Sequence, residues 1–463
     1  MQTKFSMFFF LRACLVCFIC LNSVARAADE RLVNETQSSM SNAMANVCSL
    51  EQQGLNAENL QQRCSELLRE VDNNADLMRL PVGVNASGNP VFDAINQIAP
   101  EQAIVPSVQA TRTMRGMLGA ANAAVISRMT QLRAQLRNPN AIRLANRLQQ
   151  NPGFFSFAFS PSQSGGSAGI ADINRLGIWG NGHYTGGNMD TSTNQLGFGF
   201  DNWGGDLGAD YRINDNIVVG AAFSYMNTNA NLVSSASTVK SDSYTGSIFS
   251  MYTHDSGFYV DGIASFGGVN YEIFRSIIYD TVGSNNAPLT VFAPLNGKPD
   301  GSQYSFGGGI GYQYNLGATT IEPFARANYQ ELIIDSFNEN RDVAWAMHFN
   351  KQHISSLPTT VGLRLSHAFS TSWGVFQPQI HGAWNHEFSD DQHILRARYL
   401  NTSNPGNQFS VVAQSPDRDY FTVGASLIAT LAHGISAFTQ YGTILGYQDL
   451  TSHRVVFGGR IEF

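Results

Sequence analysis

His348 and His353, His381 and His386, and His393 are the side chains that most invite a general-base or metal-site reading. They scatter over strand-like stretches and long polar connections, with no nucleophile elbow beside them and no zinc-ligand spacing. Histidine is absent before His183, so the N-terminal part of the chain carries no Ser/His/Asp triad of its own. No catalytic residue, metal or cofactor is expected, and the chain reads as a non-enzyme. The thiols allow one reaction. Cys14, Cys17 and Cys20 fall in residues 1–27, which read as a secretory signal peptide: Lys4, an apolar run from Ala13 to Leu21, then Ala25-Arg26-Ala27. None of the three sits in a lipobox, because Arg12, Val16 and Ile19 occupy the wrong places. Cleavage leaves Cys48 and Cys64, and an even pair in an exported protein is most simply a disulfide, with two free thiols as the alternative.

On one straight helix those two cysteines would stand about 24 Å apart, far beyond bridging distance. A bond therefore demands a turn, which Gln53-Gly54-Leu55-Asn56 can supply, Asn56 then capping a second helix with Glu58 in its first turn. A stapled helical hairpin over roughly 36–72 is expected, inside a short helical region at 28–99. Closing such a loop is worth about 3 kcal/mol.

The third chemistry is charge pairing. Residues 100–150 carry Arg112, Arg115, Arg128, Arg133, Arg137, Arg143 and Arg147 within a chain of net charge −7. From Ser107 to Arg137 there is no proline, and Ala, Met, Leu, Arg and Gln dominate, all good helix formers. Such a helix would reach about 46 Å, enough to thread a bilayer-sized object. Asn138-Pro139 ends it, a short helix follows, and 151–173 is a Gly/Ser-rich linker. A basic helix is ordinarily a solvated face; ahead of a barrel it becomes a candidate cationic plug.

Composition says what those elements serve. Charged residues are 14%, against about 25% in soluble domains, while aromatics reach 11% and there are 43 glycines. The mean hydropathy of −0.14 excludes a bundle of transmembrane helices. The acidic balance excludes a nucleic-acid binder, and the aromatic content argues against disorder. From 174 to 463 the period is two. Ile217, Val219, Ala221, Phe223 and Tyr225 alternate with Val218, Gly220, Ala222, Ser224 and Met226, and Phe421 to Leu431 repeats the pattern. Near the end, Val455, Phe457, Gly459, Ile461 and Phe463 face one way, with Arg454, Arg460 and Glu462 opposite. A water-soluble sandwich could alternate in this way, but it would not place charge on its dry face.

Twelve segments follow: about 175–187, 194–212, 216–231, 237–254, 257–277, 301–315, 318–337, 351–369, 373–388, 419–432, 434–446 and 452–463. Every second connection is a tight turn, and those between are longer and more polar, above all Ile278–Gly301, Ser336–Lys351 and Glu387–Arg418. That is the pattern of an all-β transmembrane barrel of twelve antiparallel strands, both ends of the barrel on the short-turn side. Asp210, Asp261 and Glu462 are its candidate lumen carboxylates, and Arg128, Arg133 and Arg137 the helix residues they would meet.

Gly208-Ala209-Asp210-Tyr211-Arg212, Val219 to Tyr225, Ser243-Tyr244, Tyr259-Val260-Asp261-Gly262 and the ending Gly458-Gly459-Arg460-Ile461-Glu462-Phe463 resemble, in that order, the β-domains of type V secretion autotransporters. The resemblance covers about 174–463. It implies an outer-membrane barrel with a helix in its pore and an exported N-terminal passenger. It also implies contact with outer-membrane lipid, and periplasmic chaperones and the barrel-assembly machinery as partners in biogenesis, with Phe457, Ile461 and Phe463 as the assembly signal. Two features depart from the family pattern. Only about 70 residues precede the long helix, where many passengers are several hundred residues of β-helix. Arg128-Met129-Thr130-Gln131-Leu132-Arg133 resembles the stretch after the self-cleavage point of some members, but Ala123-Ala124 stands where an Asn pair would be. An uncleaved monomer displaying a short helical segment is therefore expected, with a host-surface ligand as a family-level expectation. The alternative is a passive channel whose hairpin stays in the periplasm.

Overall fold

The computed structural model describes residues 32–51, 58–86, 89–100, 125, 129, 175–192, 196–233, 236–283, 285–340, 343–372, 374–389, 392–400, 408–431 and 435–462. The β-branched and aromatic residues that alternate with Gly, Ser and Asn pair as one closed antiparallel cylinder. Its strands are β1 (Leu176–Met189), β2 (Phe198–Arg212), β3 (Ile217–Leu232), β4 (Thr238–Thr253), β5 (Phe258–Val282) and β6 (Asp300–Tyr312), then β7 (Thr319–Ile334), β8 (Pro358–His367), β9 (Gly374–Glu387), β10 (Asp419–Leu431), β11 (Ile435–Leu445) and β12 (Leu450–Glu462). Each pairs with the next, and β12 returns to β1 with Glu462 opposite Gly177 and Leu450 opposite Met189. Closure leaves no bare edge around the wall, the condition for a sheet to exist in lipid. Among the described residues no helix is long and apolar enough to cross a membrane; the strands do that.

One face of the wall is apolar and open: Leu207, Phe223, Ile248, Phe266, Ile310, Leu363, Ile380, Phe421, Phe457 and Ile461 all point outward. Aromatic girdles border this band. At one end Trp203, Tyr225 and Tyr244 follow one another, edge-on and then tilted, with ring centres 5.7 and 5.2 Å apart, and the Tyr225 hydroxyl donates to Asp242. At the other end Tyr211, Tyr252, Phe258 and Tyr312 are exposed beside the tight turns. Such belts mark the two lipid–water interfaces of a barrel.

The tight turns have legible chemistry. Asn214 Oδ1 accepts from the backbone N–H of Asn216 and Ile217 at 2.9 and 2.8 Å, while Gly257 and Gly317 supply positive φ of 112° and 63°. The opposite end differs from the expectation of polar loops. β5 does not stop at the membrane but projects and folds back as a hairpin with Pro288–Gly297. Phe337–Asn338, Met347–Phe349, Ile394–Tyr399 and Gln408–Val412 form a separate four-stranded sheet. Alternation continues in these stretches because one of their faces is again covered, here by protein.

What covers them is the N-terminal region. Helices α1 (Glu35–Glu51), α2 (Glu58–Glu70) and α3 (Phe92–Ile98) lie at the long-loop end, α1 against Gln408–Val412 and α2 and α3 against β5. Cys48 on α1 and Cys64 on α2 are joined by a disulfide, Cα–Cα 5.0 Å. The turn between these helices, Asn56 included, lies outside the described residues.

Candidate functional site: the lumen and its long-loop mouth

Inward-facing side chains divide the lumen into three zones. The middle is polar. His183 Nδ1 and Asp206 Oδ2 are 3.2 Å apart, both buried, and Ser247 and Ser265 share a hydrogen bond of 2.8 Å. Gln303 Nε2 donates to Ser243 and Thr245. Of the three expected carboxylates, Asp210 and Asp261 do face inward and are buried, both toward the tight-turn end, opposite Gly177 and Gly309. Their described ion-pair partners come from the wall: Arg460 for Asp210 at 3.7 Å, and Arg326 for Asp261. Glu462 lies on β12, but its side chain is outside the described residues. Sequence reasoning missed another buried carboxylate, Glu322. It accepts from Arg364 Nη1 at 2.6 Å, Tyr259 Oη at 2.7 Å and Gln313 Nε2 at 3.2 Å. An unbroken Thr-Thr-Ile-Glu stretch in β7 was the only signal available, and it gives no hint of donors brought from β5, β8 and the turn before β7.

Toward the tight turns Trp179, Val218, Ala222, Phe249, Met251 and Ile263, from β1, β3, β4 and β5, form an apolar half-collar on one side of the lumen. Trp179 lies over Gly208 and Phe249 over Gly220, so close that a Cβ at either glycine would stand 2.3 Å from the ring. Glycine is required there to let the rings turn flat against the wall. Two residues of the basic segment complete this cluster: Val125 and Met129, both helical, fully buried and one helical turn apart. Arg128, Arg133 and Arg137 lie outside the described residues.

Toward the long loops the lining is apolar again. Met189, Phe198, Leu232, Val239, Ile334 and Leu450, from six different strands, form a ring of inward residues at the long-loop rim. They share one buried cluster with Met40, Met44, Val47, Leu67, Leu68 and Ile95 of the three helices, and with Trp345, Tyr399 and Phe409 of the loop sheet. An apolar ring inside a water-filled lumen would be costly; the helical region removes it from water at about 25 cal/mol per Å².

The histidines do not assemble. His348 bonds Asn338 at 2.7 Å, His386 bonds Asp419 at 2.9 Å, and His393 bonds Gln352 at 3.1 Å. Among the described residues no three metal-ligating side chains come together. His393 stands out only in its environment: burial pulls it down to about 4. Phe457 and Ile461 of the expected assembly signal face lipid, and Phe463 lies outside the described residues.

Comparison with known proteins gives three findings. A family model described as "Autotransporter beta-domain" matches residues 178–442. Lipase 1 of Photorhabdus luminescens is 27% identical over 269 residues, 54% of this chain and 38% of that protein. Esterase EstA of Pseudomonas aeruginosa is 24% identical over 246 residues, 52% of this chain and 36% of its own length. The chain thus spans well under half of these relatives. Among solved structures, the translocator domain of autotransporter NalP from Neisseria meningitidis aligns with a TM-score of 0.48 and 16% identity, over 64% of this chain and 90% of that one. The β-domain of the Bordetella autotransporter BrkA aligns with a TM-score of 0.42 and 14% identity, over 63% of this chain and 100% of that one.

Proposed function

Since the matched region is more than half of it, this chain belongs to the autotransporter β-domain family, and we propose that the protein threads its own N-terminal helical segment out through the barrel and keeps it, uncleaved, at the cell surface. The barrel itself is an outer-membrane autotransporter barrel and is not an enzyme. The observation that carries the reading is where one covalent segment has its two ends. Residues 32–100 pack on the long-loop end, and Val125 and Met129 join the collar near the tight turns. The 26 residues from 99 to 124 would reach about 39 Å as a helix, enough to run the length of the lumen.

In this reading Arg128, Arg133 and Arg137 belong to the helix that fills the pore, and Asp210, Asp261 and Glu462 are the carboxylates proposed to meet it, the first two shared with Arg460 and Arg326 of the wall. Even strand number favours the same topology. Both ends of the barrel lie at the tight turns, so an N-terminal region found at the other end has crossed. A passive channel with a periplasmic hairpin fits less well, because α1, α2 and α3 pack on the long loops. Outer-membrane lipid, periplasmic chaperones and the barrel-assembly machinery are the proposed partners, with Phe457, Ile461 and Phe463 as the assembly signal and a monomer as the working form. Lipase and esterase activity belongs to relatives of which this chain matches little more than a third. The N-terminal segment, without histidine, is proposed to be non-enzymatic.

A photoreactive residue at position 125 or 129 tests the threading. Irradiated in outer membranes, it should cross-link within the same chain to peptides containing Trp179, Ala222 or Phe249. Cross-links to periplasmic proteins, with none to the barrel, would contradict it.

A further inference from the structure

We propose that residues 32–100 are a docked cap and not cargo: the long-loop mouth is a binding site whose ligand is the chain's own exported, disulfide-stapled helical hairpin. The proposal deepens the reading above and rests on it. Two polar locks and the apolar ring support it, and each lock joins the segment to a different part of the long-loop end.

The first lock is a clasp at Arg275, on the projecting part of β5. Its Nε and Nη2 donate to Oε1 and Oε2 of Glu339 at 2.9 and 2.7 Å, a bidentate pair. Nη1 donates to the carbonyl of Ile98 at 2.7 Å, at the C-terminal end of α3, and Nη2 reaches the Trp345 carbonyl at 3.3 Å. Arg275 is 1% and Glu339 4% exposed. Glu339 Oε2 also accepts from the backbone N–H of Met347 at 2.9 Å. One guanidinium therefore ties the hairpin of β5, the loop after β7 and the end of the exported segment. A helix C-terminus is where a cation belongs, and Arg275 meets that of α3 at the Ile98 carbonyl.

The second lock closes a sheet edge. Among the described residues, Gln408–Val412 pairs as a strand with Ile394–Arg398 on one side only. On the other side, the backbone N–H groups of Ser410 and Val412 donate to Ser39 Oγ and Thr36 Oγ1, each at 2.9 Å. Alternate strand residues present N–H groups to the same side, and hydroxyls three apart share one face of a helix. Helix α1 thus takes the place of a missing strand. A bare edge would invite another chain, and here the exported segment seals it.

The site thus donates to one carbonyl and two hydroxyls of its ligand and covers its apolar face at once. Docking then fixes the exported, still attached segment on the mouth, and the long loops complete their fold only when the segment arrives.

The test applies protease to intact cells carrying the full-length protein, either unchanged or as Arg275→Met or as Thr36→Val with Ser39→Ala. The heat-dependent gel shift of the barrel reports whether each variant is assembled. The proposal expects residues 32–100 of the unchanged protein to stay whole, and both assembled variants to be cut there roughly tenfold faster or more, the effect of a tenfold larger open population. Equal cutting of all three from outside would leave display standing and overturn the docked cap. Equal resistance of all three would overturn the two locks. Cutting of the variants only after the outer membrane is permeabilised would overturn the display reading on which the cap rests.

Discussion

Arg275 and Glu339 form a buried pair whose members lose much when separated. Arg275→Met leaves a carboxylate in an apolar site and should destabilise the cap by about 3–5 kcal/mol, whereas Arg275→Met with Glu339→Gln should recover a large part of it. Hydrogen exchange of α1, α2 and α3 in the folded protein reads both. His393 gives the long-loop end a pH dependence. Burial holds it down at about 4, below the ordinary value near 6.5 of an exposed imidazole. Opening of the loop around it therefore binds the extra proton between those values, and the stability of that loop falls as the pH drops from about 6.5 toward 4. The same exchange experiment should show Ile394–Tyr399 and its neighbours opening progressively over that window, and His393→Gln should flatten the dependence. At the collar, Gly208→Leu must push Trp179 off the wall. It should cost about 1–3 kcal/mol of overpacking and lower the temperature of the gel shift.

The strands were legible as elements because lipid outside and a polar lumen inside impose a strict period of two, as in Val455 to Ile461 opposite Arg454 and Arg460. The connections were legible because tight turns need Asn or Gly at defined places, as at Asn214, Gly257 and Gly317. The ends of strands at the long-loop side were not. Met189, Phe198, Leu232 and Ile334 continue the alternation with apolar residues on the inward face, and one chain gives no sign that helices will cover them. The extension of β5 past Ile277 and the loop sheet were missed for the same reason: Tyr279, Tyr399 and Phe409 have partners far away in sequence. The helical segment hid its apolar face in turn. Met40, Met44 and Val47 recur at helical spacing among so many Asn, Gln and Ser residues that the composition reads as polar. Glu322 shows the limit at a single site, since its donors Arg364, Tyr259 and Gln313 come from β8, β5 and the turn before β7. One prediction belongs to elements. If the segment 107–137 fills the pore as a helix, replacing it by Gly/Ser sequence of equal length should raise single-channel conductance sharply, and unchanged conductance would place it elsewhere.

The whole molecule stacks three zones along one axis: a tight-turn end where an apolar half-collar stands beside the paired charges Asp210–Arg460, Asp261–Arg326 and Glu322–Arg364, a polar middle, and an apolar seat at the long loops occupied by α1, α2 and α3. The arrangement makes sense if a single chain runs through all three, entering the wall at β1 on one side after placing its N-terminal segment on the other. Two-sided labelling tests that directly. One tag inserted after Gly54 and another at Ser164 of the linker, each in the full-length protein, are probed in intact and then in permeabilised cells. The account predicts that the first tag is labelled in intact cells and the second only after permeabilisation. Both tags labelled on the same side of the membrane would contradict it.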